Sequence, residues 1–252
     1  MSAAARSTDS CKAAVRLSMV AIVAVASLPL PAAPSWPFIL ASGLIHIFYN
    51  LGLVYAYRCG DLGVTYPIAR GSSPLLVALG AALVTGEHLG PIKVIGVCLV
   101  SAGIITLVLQ RGHFSRSGSV AALATGVMIA LYTVVDGVGV RRSGDSMSYI
   151  AWTFLFYLFM PVLFLMQRNV KALRAPVRDI ASSAVGGLVS IAAYGIVVWA
   201  MQFDAMGVVS AIREISIVFA VIIGRLFMHE ELTLKRFLSC VVIVIGAICL
   251  GS

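Results

Sequence analysis

Long apolar runs separated by short polar turns fill almost the whole chain. Runs of roughly 17–25 apolar residues are long enough to cross a bilayer as helices. On that scale the sequence predicts nine spans, near residues 13–31, 36–57, 63–85, 91–110, 118–139, 148–167, 180–201, 205–228 and 233–251. The segment 31–37 (PAAPSWP) is a short turn, and no connection exceeds about a dozen residues. The pattern predicts an all-α integral membrane protein with about nine transmembrane helices and no room for a soluble catalytic domain. Arg6, Lys12 and Arg16 precede a first run ending in small residues and prolines, which has the outline of a signal peptide. The next spans follow without a soluble region, so a retained first helix is the simpler reading.

Polar residues inside these runs are few. Arg70 lies in the third run and Arg213 in the eighth, 143 residues later. Each is followed three residues on by a serine (Ser73, Ser216) and seventeen on by a glutamate (Glu87, Glu230). A mid-span arginine costs at least ~2.5–3.5 kcal/mol on insertion scales. Its recurrence in register points to a duplicated chain with a polar site between the copies. At the same offset Glu87-His88-Leu89 matches Glu230-Glu231-Leu232 and Gly103 matches Gly246; upstream, Gly63-Val64 faces Gly207-Val208 with a slip of one.

The copies read as residues 1–110 with four spans and 118–251 with five. A five-helix unit is odd in number, so its second copy enters the bilayer from the opposite side, giving an inverted repeat. The first copy then lacks one helix at its N-terminus. Either the chain starts at a late methionine or it is a nine-helix form.

Charge placement agrees with this reading. Hydrophobic residues make up 60% and charged residues 11%, against about a quarter charged in soluble domains, and the mean hydropathy is +1.03. The net charge of +8 is distributed by side. Loops on the N-terminal side hold Arg6, Lys12, Arg16, Arg58, Arg111, Arg116, Arg168, Lys171, Arg174, Arg178, Arg225, Lys235 and Arg236, and the other side holds only Lys93, Arg141 and Arg142. Such asymmetry places the N-terminus in the cytoplasm and the C-terminus outside. With its basic residues scattered over loops and no recognition module, the chain is not expected to bind nucleic acid. The five cysteines (Cys11, Cys59, Cys98, Cys240, Cys249) show no CxxC spacing and read as packing thiols. No metal site or cofactor is expected.

A span ending in E-x-L (GEHL, then HEEL), followed by a glycine-bearing span, occurs twice. With the stretches Ala56–Glu87 and Tyr132–Arg141 (YTVVDGVGVR), this resembles the EamA-type permeases of the drug/metabolite transporter superfamily, over residues 13–251. The resemblance implies ten helices in a 5+5 inverted repeat, of which this chain would hold an incomplete 4+5. It implies a secondary transporter that moves a small organic metabolite by alternating access through a central cavity, in a bacterial inner membrane. Its partners would be the solute, the lipid bilayer and a proton or counter-substrate, and a homodimer remains open. The two arginines tilt the solute toward an anion or zwitterion. The alternative is a truncated, non-transporting membrane protein that serves as an assembly partner. HExxH, GxSxG and P-loop signatures are all absent, so no enzyme is expected. Gly60-Asp61 lacks the first glycine of an intramembrane protease motif.

Candidate site residues follow from position. Pro67, Gly71 and Pro74 surround Arg70. Prolines break the helical hydrogen-bond ladder, so the third span is predicted to be interrupted beside a wet cavity. There Arg70 and Ser73 would meet an anionic group, or Arg70 would form a buried ion pair that only fixes packing. Arg213 and Glu214 are neighbours about 100° apart on a helix, so they are expected to face different directions, with Glu214 either carrying a proton or pairing structurally. Tyr132 and Asp136, four residues apart, share a helix face. Asp136 reads as a cavity carboxylate, an arginine's partner, or an interfacial residue near Arg141 and Arg142. His46, Tyr49, Asn50, Leu53 and Tyr57 form one stripe, in which His46 and Asn50 would bind solute or make interhelical hydrogen bonds. Tyr194 and Trp199 would play corresponding parts in the seventh span, with Trp199 equally readable as an interfacial anchor. Glu87 and Glu230 would cap the helices that follow them.

Overall fold

Every regular element among the described residues is helical, as the apolar runs predict. The structure is a computed structural model and describes residues 28–59, 62–109, 116–156, 177–227 and 233–251. A 3₁₀ turn over Ala33–Ser35 leads into α1 (Trp36–Cys59), followed by α2 (Leu62–Thr85), α3 (Pro91–Leu109), α4 (Arg116–Arg141) and α5 (Ser146–Phe156). Then come α6 (Val177–Ala200), α7 (Met206–Arg213), α8 (Ser216–Phe227) and α9 (Leu234–Gly251). Five stretches have the length and hydropathy to cross a membrane: Ala33–Leu53, Ile68–Thr85, Gly118–Arg141, Met206–Phe227 and Leu234–Gly251. Pro91–Leu107 and Val189–Ala200 are shorter apolar helices. Most of the predicted first span, the end of the sixth, Asp61, Glu230 and Glu231 lie outside the described residues.

The helices group into two compact units. The first takes the chain up to Phe48 together with Val135–Phe203, and the second takes Tyr49–Val134 together with the chain from Asp204. The division predicted between residues 110 and 118 follows the sequence repeat and is a different partition from this packing.

In the second unit α3 lies against α9, and small residues set the approach. A Cβ built on Gly96 would fall 2.8 Å from the Gly246 carbonyl, and one on Gly246 would fall 2.9 Å from the Gly96 carbonyl. Small residues are what let membrane helices meet backbone to backbone. Val97, Val100, Ile104, Val208, Ala211, Val218, Ile243 and Leu250 form the core around this seam. Outward-facing Phe219, Ile223 and Ile248 are more than half exposed, an apolar surface suited to lipid.

The interrupted helix is not where the prolines predicted it. α2 runs unbroken through Pro67, Gly71 and Pro74. Pro74 lacks the N–H that would reach the Arg70 carbonyl, and the Ser73 hydroxyl donates to that carbonyl at 3.0 Å instead. A serine side chain therefore closes the gap, one of the routes by which membrane helices tolerate proline. The break falls in the eighth predicted span, which divides into α7 and α8 at Glu214–Ile215. There the N–H groups of Glu214, Ile215, Ile217 and Val218 donate to the carbonyls three residues back, at 2.9–3.1 Å. That is a 3₁₀ stretch inside a span, a form that often marks a hinge or strain.

In the first unit α5 packs on α6, and the Ala32 N–H donates to the Ser143 carbonyl at 2.9 Å. Trp36 meets Trp152 edge to face with ring centroids 4.8 Å apart. Asp145 caps α5, accepting from the Ser148 N–H at 2.9 Å and from the Ser148 hydroxyl.

Candidate functional site

Two buried polar groups stand out, one in each unit. The second unit holds Arg70, Arg213 and Glu214. Glu214 is fully buried and ends α7, where the 3₁₀ turn begins. Arg70 comes from α2, and its Nε–H donates to Glu214 Oε2 at 2.7 Å. Arg213 Nε–H donates to Glu214 Oε1 at 3.2 Å. Side-chain exposure is 21% for Arg70, 13% for Arg213 and 0% for Glu214. Two cations thus share one carboxylate, with a formal charge of +1.

This corrects the expectation that Arg213 and Glu214 point apart. In a regular helix neighbouring side chains diverge, but here the helix ends between them and both side chains turn to the same place. The reading of Arg70 as one half of a buried ion pair is what the geometry contains. Ser73 is fully buried, with its hydroxyl on the Arg70 carbonyl.

The start of α7 is held from a distance. Ala205, its N-cap residue, supplies no side-chain cap. The Met206 N–H donates to Glu87 Oε2 at 2.9 Å instead. Glu87 caps a helix as predicted, but that helix is α7 and not α3, the helix that follows it. Residues Met206–Ala211 of α7 are all buried, so water cannot satisfy its first N–H groups and a protein acceptor takes that role. The eight-residue helix is fastened by Glu87 at one end and by Arg70 at the other. Nearby, Lys93 Nζ lies 3.8 Å from Asp204 Oδ1. Tyr132 is buried and meets Tyr49 edge to face at 5.5 Å, and Asn50 is half-buried on α1.

The first unit holds the second group. Asp136 is fully buried, whereas the interfacial alternative would have left it near water. Tyr149 of α5 donates its hydroxyl to Asp136 Oδ1 at 3.0 Å, and Tyr194 of α6 donates to Oδ2. His46 and Ser42 of α1 face the same carboxylate. His46 Nδ1 lies 2.9 Å from the Ser42 carbonyl and 3.2 Å from the Ser42 hydroxyl. The His46 and Phe154 rings each meet the Tyr194 ring edge to face at 5.9 Å. Arg141 donates to the Met201 carbonyl at 2.7 Å, and Arg142 sits over Phe38. Trp199 is 44% exposed and meets Phe203 edge to face with ring centroids 5.0 Å apart. Gly139 makes room for this arrangement, since a Cβ there would collide with the Tyr149 hydroxyl.

Sequence reasoning missed Ser42, Gly139 and Tyr149. Ser42 precedes His46 by four residues, a spacing that puts them on one helix face and was legible. Tyr149 carried no such signal, because its contact depends on how α5 packs. Among the described residues no cluster of three or more His, Cys, Asp or Glu side chains could hold a metal ion.

The profile of the EamA-like transporter family matches residues 116–252, more than half of the chain. The chain belongs to this family. It is therefore a membrane transporter, and its working partners are a small-molecule solute and the bilayer. A Bacillus subtilis (strain 168) protein described as the uncharacterized transporter YvbV is 26% identical over 230 residues, covering 86% of this chain and 72% of its own. One crystal structure superimposes with a TM-score of 0.76 at 20% identity, covering 98% of this transporter and 90% of that chain. At that identity the likeness concerns the fold alone.

Proposed function

We propose that this transporter is a secondary carrier for a small organic anion or zwitterion, with Arg70, Arg213 and Glu214 as its solute site. The observation that carries this reading is the convergence of two guanidinium groups on one buried carboxylate at a break in a membrane helix. A site with one more cation than anion in low dielectric attracts negative charge strongly. A guanidinium is a planar fork of donors matched to carboxylate and phosphate. An incoming anion would compete with Glu214 for the arginines, and the 3₁₀ stretch at Glu214–Ile215 gives the helix a place to bend as they change partner. Alternating access follows if that exchange differs between the inward-open and outward-open states. The sequence carries no ATP-binding motif, so a proton, a counter-substrate or the solute gradient would drive movement. The homologue with a transporter name is bacterial, which supports placement in a bacterial inner membrane.

Uptake into proteoliposomes, screened over amino acids, carboxylates and organic phosphates, tests this. Arg70→Ala and Arg213→Ala, each inserted normally, are expected to abolish uptake of any solute that the unaltered protein moves. Undiminished uptake by both variants would falsify the assignment.

A further inference from the structure

Among the described residues, Glu214 and Asp136 are carboxylates fully buried within membrane helices, and their surroundings differ in kind. Glu214 is met by two arginines. A guanidinium only donates hydrogen bonds, so those contacts suit the carboxylate and not the neutral acid. Asp136 is met by two phenols, one on each oxygen. A phenol hydroxyl both donates and accepts. Tyr149 and Tyr194 can donate to the carboxylate, and either can turn its hydroxyl to accept from the acid. The Asp136 shell accommodates both protonation states without moving a helix.

His46 adds a second proton acceptor. In its Nδ1–H tautomer His46 donates to the Ser42 carbonyl at 2.9 Å. The basic nitrogen of the neutral ring is then Nε2. The ring is 4% exposed and lies against Tyr194. Among the described residues, the titratable groups facing Asp136 are His46 from α1, Tyr149 from α5 and Tyr194 from α6. Arg141, farther along α4, donates to the Met201 carbonyl. Chains of acidic and histidine side chains inside membrane helices are the parts from which proton relays are built.

We infer that Asp136 is a reversible proton-binding site, with His46 as its exchange partner. A proton arriving on His46 Nε2 passes to an Asp136 oxygen, the carboxylate becomes a neutral acid, and its new O–H is accepted by a tyrosine hydroxyl. The reverse transfer returns the proton through the imidazole and restores the carboxylate. That this proton drives solute movement rests on the transport reading above; its binding does not.

The test is pH-difference infrared spectroscopy on the full chain in lipid vesicles, which needs no solute. A carboxylic C=O band should grow as the pH is lowered. It should vanish in Asp136→Asn and shift in frequency in Tyr194→Phe and Tyr149→Phe, each of which removes one hydrogen bond. His46→Gln should slow the appearance of the band after a pH jump, a kinetic change that a purely structural histidine would not give. If Asp136→Asn does not insert, the two tyrosine variants decide the matter. A band that survives Asp136→Asn, a band that neither tyrosine variant shifts, or no titrating band in the unaltered protein overturns the inference. The outcome is separate from the Arg70 experiment. If uptake survives Arg70→Ala and Arg213→Ala while the Asp136 band titrates, the solute site falls and the proton site stands.

Discussion

The Glu87 carboxylate accepts a hydrogen bond from the Met206 N–H at 2.9 Å, across 119 residues of chain. It stands in for the missing N-cap side chain of a buried helix that ends at Glu214. Losing an N-cap acceptor costs about 0.5–2 kcal/mol, and the attraction of a carboxylate to a helix N-terminus contributes roughly 0.3–1 kcal/mol of that. Glu87→Ala should lower thermal stability in detergent by the larger amount. Glu87→Gln, which keeps an acceptor, should fall between the two. Equal losses would show that charge alone matters at this position.

The Arg70–Glu214 pair should behave as a coupled unit. Removing one partner of a buried pair typically costs about 3–5 kcal/mol; with Arg70 at 21% exposure, the lower end applies. Arg70→Met and Glu214→Gln should each destabilise the fold by about 3 kcal/mol. The double variant should lose clearly less than the sum, with a coupling of about 1–3 kcal/mol. Chemical unfolding of the four proteins in detergent gives this cycle. Strict additivity would mean that the contact contributes nothing to the folded state.

Much of the architecture was written in the pattern of apolar runs. Helices α1, α2, α3 and α9 start and stop within a few residues of the predicted spans, because run length and hydropathy alone decide what can cross a bilayer. The arginine positions were legible for the same reason, since a cation in such a run stands out. The position of the helix break was not legible. Pro67 and Pro74 are visible breakers, but Ser73 repairs the second one through a side-chain bond that no local rule requires. Glu214–Ile215 contains neither proline nor glycine, and the helix parts there as its side chains gather with Arg70 from another helix. The Asp136 shell was half legible, with His46 and Asp136 named and Tyr149 and Gly139 missed. Their contacts are set by how α4, α5 and α6 meet.

Close approach between helices should make certain glycines sensitive to a single methyl group. At Gly246 an added Cβ would meet the Gly96 carbonyl and the Val100 N at 2.9 Å, and backbone cannot step aside. At Gly139 it would meet the ring and hydroxyl of Tyr149, a fully buried side chain with little freedom to move. Overpacking of this kind costs about 1–3 kcal/mol. Gly246→Ala and Gly139→Ala should both lower the unfolding temperature, and Gly139→Ala should also perturb the Asp136 band. Gly90, with nothing within 4 Å of its ideal Cβ, is the control, and Gly90→Ala should leave stability nearly unchanged. Loss at Gly90 as large as at Gly246 would count against the packing argument.

Asp145, in the turn between α4 and α5, should give stability a small dependence on acid. The hydrogen bond from the Ser148 hydroxyl lowers its pKa from the ordinary carboxylate value, helped by the Ser148 and Met147 N–H groups and opposed by slight burial. A carboxyl depressed in the folded state contributes stability that is fully present above its unfolded pKa of about 3.9. That contribution is lost as pH falls through the depressed folded value. Asp145→Ala should cost about 0.5–2 kcal/mol at neutral pH, the usual range for an N-cap. The gap between the two proteins should hold down to about pH 4 and narrow below it; the gap to Asp145→Asn, smaller at neutral pH because asparagine also caps helices, should narrow by the same amount, since only the unaltered protein titrates at this position. Thermal unfolding of the three proteins from neutral to acidic pH measures this. A gap that widens on acidification would mean that the Asp145 carboxylate does not cap α5.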